Sequence, residues 1–214
     1  TAVVWDLDKV AETKSWTAYI LEDPAIVPGF QYLGDAGTVV AWKKLDRLDG
    51  GYSNNDAQRT RILNESLSGA ERHLRLVFHR YIGGKTPKLS LFLNNSKLEA
   101  IDPFAEGHPA RQVDSEEFLK LSKGVVKLKC VTLPHHKKMS QDDWDDIGGP
   151  EGHLKSQGLY VYRADRLIIA GGWLGLARQS ESTKLCRIAV DIPNTMDAEW
   201  KIDVKKASAQ LPPV

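Results

Sequence analysis

The second half of the chain holds three runs in which apolar and polar side chains alternate: Val125 to Leu133, Gly158 to Ala170 and Leu185 to Ile192. Alternation with a period of two puts the apolar groups of a run on one side of an extended backbone, so these runs are stable only inside a sheet with a covered face. The middle run turns at Ala164-Asp165 and is expected as a hairpin. Pro134 and Pro193 close the other two, because proline cannot donate to a ladder.

The first half mixes periods. Ala2 to Val10 and Ser15 to Leu21 read as two strands joined around Glu12-Thr13-Lys14, and Thr38 to Leu45 as a third. Asp49 to Asn55 is made almost entirely of turn residues and is expected as an exposed loop. From Thr60 to Tyr81 the apolar residues recur mostly at steps of three and four, which gives a helix pair or one helix kinked at Ser68-Gly69. Lys88 to Ala100 reads as two short strands about Asn94-Asn95, and Ser115 to Leu121 as one or two helical turns. Ser140 to Ile147 opens with a good cap and an acidic first turn and is expected as a short helix. The polar stretch Ala105 to Gln112 suggests a boundary dividing the chain into 1–112 and 113–214. The fold class expected is α+β, with mixed or antiparallel sheets and helices on one face.

At 214 residues and 42% hydrophobic the chain is large enough for a real core. Its 29 basic and 28 acidic side chains cancel, so no overall field draws it to nucleic acid or an anionic membrane. No apolar run reaches the roughly 18 residues of a membrane span, and the cytoplasm is the expected location. Cys130 and Cys186 each sit in an alternating run and are expected as reduced, buried thiols.

Candidate chemistry is sparse. His135-His136 with Lys137-Lys138 lacks the spacing that completes a zinc set and reads as a solvated loop. Asp142, Asp143, Asp145 and Asp146 lack calcium-loop spacing and read as a helix start. His73 and His79 are too far apart on a helix to share a ligand and are expected at the surface; His108 and His153 sit beside turn residues. Tyr160 and Tyr162 share one strand face, with Arg163 and Arg166 flanking the turn. Lys205-Lys206 follows a short strand-like segment and precedes small residues; it reads either as a frayed basic tail or as a place where a lysine can reach a phosphate oxygen as a point charge. No metal site and no catalytic set assembles from these residues.

Four segments, in order, resemble the ATPase module shared by MutL mismatch-repair proteins, MORC proteins, type II topoisomerases and the large heat-shock chaperones, the GHKL group. Gly37-Thr38-Val39-Val40 followed by Leu45 is similar to the Gly-Thr strand late in its nucleotide-binding domain. Leu74 to Tyr81, with the hairpin Leu89 to Leu98, resembles the helix and strands that complete that domain. Gln157 to Leu167 resembles a MutL strand-turn-strand, and Asp191-Ile192-Pro193-Asn194 with Trp200 to Lys206 resembles the transducer segment that ends in a lysine loop.

The resemblance implies that residues 1–112 are the last strands and helices of a nucleotide-binding domain. It implies that 113–214 are a transducer-like domain with a left-handed β-α-β crossover. Lys205 or Lys206 would contact the terminal phosphate of ATP, and Thr38 would lie near the nucleotide. ATP and Mg2+ would belong to the full-length protein, expected as a homodimer, with neither cofactor bound by this piece. The catalytic glutamate, the magnesium-binding asparagine and the glycine-rich loops of the family have no counterpart here, so a missing N-terminal ATP-binding region is the expected partner. The alternative is a non-enzymatic module that binds protein or nucleic acid through an exposed hairpin at Tyr160 to Arg166.

Overall fold

The computed structural model describes residues 1–45 and 55–201, so most of the expected loop at 49–55 and the segment from 202 onward lie outside the described residues. The chain divides into two compact units, 1–64 and 65–214. The boundary expected at 112/113 instead falls inside a strand of the second unit.

In the first unit, β1 (Val3–Val4) pairs antiparallel with β2 (Tyr19–Ile20), but the residues between them are not extended. Asp6 accepts a hydrogen bond from the Asp8 amide and starts α1 (Leu7–Thr13), which Lys14 ends in the left-handed conformation. A capping carboxylate three residues before Lys9 outweighs the strand pattern over this stretch. Thr38 to Leu45 forms no strand either; Val40 and Trp42 are exposed and the run has no ladder to join. Strand propensity is a preference for a pleated, half-covered surface, so without that surface it produces no strand.

Helix α2 (Asp56–Val77) is continuous through Ser68-Gly69, where a kink was expected. Gly69 has open space around it, so its only cost is helix propensity, about 1 kcal/mol. The break comes at Phe78, before α3 (His79–Ile82). The expected short hairpin forms from β3 (Phe92–Leu93) and β4 (Ser96–Lys97), with Asn94 and Asn95 both at positive φ as a two-residue primed turn requires.

The second unit is built on a six-stranded mixed sheet. Its strands are β5 (Gln112–Val113), β6 (Glu117–Leu121), β7 (Gly124–Thr132), β8 (Gly158–Arg163), β9 (Arg166–Ala170) and β10 (Cys186–Ile192). The order is β5-β7-β10-β8-β9, with β6 also on β7; every pairing is antiparallel except β10 with β8. The helical turns expected at 115–121 are strand β6, joined to β7 by the turn Ser122-Lys123. A five-residue segment takes its state from the neighbour it pairs with. Between the parallel strands β8 and β10 the described chain runs through β9 and a 3-10 turn at Glu181–Thr183, with no α-helix. Ser140 caps α4 (Gln141–Gly148) by accepting from the Asp143 amide, as its sequence indicates.

Alternation sorts the sheet into two faces. Leu159, Val161, Val190, Ile192 and Val126 form one buried cluster, closed by Met196 and Trp200 from the chain that follows β10. Tyr160, Tyr162, Leu167, Ala189 and Val131 form the other, closed by Phe104 and by Leu76 of α2. Helix thus covers one face and irregular chain the other, and the polar groups that set the molecule apart lie on the helix-covered face.

Candidate functional site

Two polar clusters are built into that face. The first joins α3 to the β8–β9 turn. His79 is 6% exposed, contrary to the surface position expected for it, while His73 is exposed. Its Nδ1 lies 3.3 Å from the Leu76 carbonyl, which can only accept, so Nδ1 carries the proton and Nε2 accepts from the Tyr162 hydroxyl at 3.2 Å. Burial, reinforced by the neighbouring Arg80 cation, lowers the His79 pKa to about 4, so the ring is neutral. Burial also pushes the Tyr162 phenol well above its ordinary value.

Arg80 lies over the Tyr162 ring, 3.4 Å from its centroid, and its guanidinium forks onto the Asp191 carboxylate of β10. Asp165, in the turn between β8 and β9, stands 3.6 Å from Arg80 and receives a 2.8 Å hydrogen bond from Lys88. That bond holds the Asp165 carboxyl below its usual range. Tyr81 donates to the Ala164 carbonyl of the same turn. Ala164 and Asp165 both have positive φ, as the primed turn demands. Three consecutive residues of one short helix therefore grip two strands, β8 and β10, and one hairpin tip.

The second cluster centres on Arg187 of β10, fully buried and with no carboxylate among its partners on the described residues. Its guanidinium donates to the Lys184 and Cys186 carbonyls, each at 3.0 Å, to Ser156 Oγ at 2.9 Å and to His153 Nδ1 at 3.3 Å. An arginine only donates, so His153 carries its proton on Nε2 and passes it to the Trp144 carbonyl at 2.9 Å. The His153 ring stacks on Trp144 with centroids 3.5 Å apart. Burial of the ring, opposed in part by its bond to the Trp144 carbonyl, lowers its pKa. Gln157, also fully buried, binds the Leu154 and Ser180 carbonyls through Nε2 and accepts from Trp173, Thr183 and the Ser180 amide. These bonds tie the chain that enters β8 to the chain between β9 and β10.

Nothing in these clusters assembles a reaction. His79 and His153 have both ring nitrogens committed, Arg187 faces carbonyls, and Tyr162 keeps its proton. Among the described residues no three His, Cys, Asp or Glu side chains converge as a metal would need. One cavity of about 260 Å³ lies beside Trp144, His153 and Lys184. A second of about 400 Å³ lies beside Asp102, His108 and Asp146. In the second, His108 donates to the Lys138 carbonyl at 2.8 Å and accepts from the Ala110 amide, while Asp146 is paired with Arg75 at 2.8 Å. What the geometry does well is mechanical: it ties helix, hairpin tip and central strand into one piece.

Of the residues expected at the nucleotide, Thr38 is exposed and belongs to no regular element of the first unit. Lys205 and Lys206 lie outside the described residues. His135 and His136 are exposed on a 3-10 turn with ring centroids 4.0 Å apart. The expectation of an exposed aromatic hairpin is corrected: Tyr160 and Tyr162 are 2% and 0% exposed and face Phe104 and α3, not solvent. Cys130 and Cys186 are free thiols, half-buried instead of fully buried. Sequence reasoning missed Arg187, although its spacing from Ala189 along β10 puts it on the same inward face. No helix among the described residues is long and apolar enough to cross a membrane. No family model, curated protein or solved structure matches this chain.

Proposed function

We propose that this chain is the coupling region of a GHKL-type ATPase, in which the first unit, 1–64, completes an ATP-binding domain and the second, 65–214, serves as its transducer. The observation that carries the reading is the first unit's surface: none of its described residues is buried. Trp16, Tyr32, Val40 and Trp42 are 80%, 84%, 71% and 77% exposed. Covering a large apolar side chain is worth about 1.5–3 kcal/mol, so a unit that leaves four of them in water is built to be completed by further protein. The strand-like run Thr38 to Leu45, which has no ladder to join, fits the same account.

In this reading the absent region would hold ATP and its magnesium, for which the described residues offer no ligand set. Lys205 or Lys206 would touch the terminal phosphate, and Thr38 would lie close by. Triphosphate would then favour one arrangement of the coupled parts through that differential contact, and hydrolysis would release it. The transducer's left-handed crossover would require a helix beyond those in the described sheet, and dimerisation would belong to the intact protein.

The test is the double variant Lys205→Ala, Lys206→Ala in a protein that includes the ATP-binding region. Loss of charge donors at a phosphoryl group typically costs about 100-fold or more in turnover. The expected result is a fall of at least that size with unchanged circular dichroism. Undiminished turnover rejects the lysine role.

A further inference from the structure

Cys130 and Cys186 come from different parts of the sequence, 56 residues apart, and the sheet brings them together. Strands β7 and β10 pair Cys186 with Thr132 and Ile188 with Cys130, so the two cysteines are diagonal neighbours on one face. Their Sγ atoms are 4.0 Å apart. Both side chains are half-buried, neither is in a disulfide, and no third ligand completes a metal site among the described residues. Most buried thiols are isolated and inert, whereas two whose sulfur atoms meet across adjacent strands can close on each other with side-chain rotation and a small approach of the two backbones.

We propose that Cys130 and Cys186 form a redox-active dithiol that a peroxide oxidises to an intrachain disulfide bridging β7 and β10. The Cys186 thiolate attacks one peroxide oxygen, the O–O bond breaks, and a sulfenic acid and hydroxide result. The Cys130 sulfur then attacks the sulfenic sulfur; the S–S bond forms, the S–O bond breaks, and the oxygen leaves as water with the thiol proton. Two thiols have given two electrons to one peroxide, with two waters as the balance. Burial and the adjacent Cys186 and Asp114 groups raise the Cys130 thiol, which suits Cys130 to the resolving step. The bridge would lock the register of β7 against β10 and enclose the segment that carries α4 and the β8–β9 hairpin.

The folded 214-residue chain, reduced and then exposed to a small excess of hydrogen peroxide, is digested without reductant and read by mass spectrometry. The expected product is the Cys130–Cys186 linked peptide, with both titratable thiols lost together, no disulfide-linked dimer, and recovery of both thiols on reduction. Phenylarsine oxide, which bridges close dithiols, should bind one to one and block both cysteines to alkylation. In Cys130→Ser, peroxide should instead leave a trappable sulfenic acid on Cys186. Should that variant fold poorly, the arsenical stoichiometry on the natural chain decides. Independent oxidation of the two thiols, intermolecular crosslinks, or no arsenical capture overturns the proposal.

Discussion

Replacing Gly158 with alanine is expected to cost at least about 4 kcal/mol, enough to unfold the second unit under mild denaturant. Gly158 opens β8 at φ +100, a conformation that side chains other than glycine's rarely adopt. An added Cβ would overlap the Gly172 carbonyl oxygen and lie 2.8 Å from its carbon, and both are backbone atoms that cannot swing aside. That carbonyl accepts from the Leu159 amide at 2.8 Å, and the Gly172 amide donates to the Gln157 carbonyl at 2.6 Å, so moving it breaks the crossing where β8 begins. Gly152→Ala separates the two effects. Gly152 also has positive φ, at +75, but has open space around it, so the backbone penalty alone, about 1–2 kcal/mol, should appear. Urea unfolding of both variants checks this, and equal costs would show that the Gly172 contact is not tight.

Acid should weaken the second unit by about 3 kcal/mol through His79 alone. The folded-state pKa is about 4 against an ordinary 6.5, and each unit of difference is worth about 1.4 kcal/mol. The sign follows from proton uptake: below pH 6.5 the unfolded chain binds a proton that the folded chain refuses until about pH 4. Stability is therefore complete above pH 6.5 and drains away between 6.5 and 4. The groups in contact with the ring are the Tyr162 hydroxyl and the Leu76 carbonyl, with the Arg80 cation beside it; the Glu106 carboxylate opposes the shift but is outweighed by burial and Arg80. His153, lowered in the same direction, adds to the loss. In His79→Gln, which cannot titrate, the pH dependence over this window should shrink by about 3 kcal/mol. An unchanged pH dependence would mean that the ring is solvated or charged in the folded protein.

What could be read from the sequence follows the range of the interaction that decides each element. The turns at Asn94-Asn95 and Ala164-Asp165 and the cap at Ser140 depend on residues within a few positions, and all three stand where local chemistry puts them. Strands β7, β8 and β10 carry an alternation strong enough to show without their partners. Strand β6 does not; its extended form comes from pairing with β7. His79 lies in a recognisably helical run, but only docking on Tyr162 says which side of that helix is buried. Thr38 to Leu45 fails for the converse reason, because its residues prefer a strand and none of the described strands pairs with them. The polar clusters share this long-range character: Arg80 meets Asp191 across 111 positions, and Arg187 meets His153 across 34. Their members look like ordinary surface charges in the sequence, because both the burial and the partner come from the sheet.

Helix α3 also joins separate parts of the sheet. Arg80, Tyr81 and Lys88 hold the tip of the β8–β9 hairpin, and Arg80 reaches on to β10. Beyond β10 the chain passes Met196 and Trp200, both buried under the opposite face, and leads to Lys205 and Lys206.

The most direct measurement compares ATP turnover by residues 1–214 alone with turnover by the product of the whole natural reading frame. The expected result under the proposed function is no turnover by the isolated chain and magnesium-dependent turnover by the longer product, with a helix carrying glutamate and asparagine followed by Asp-x-Gly-x-Gly in its additional sequence. A reading frame that encodes no such region, or a longer product that neither binds nor hydrolyses ATP, would contradict it.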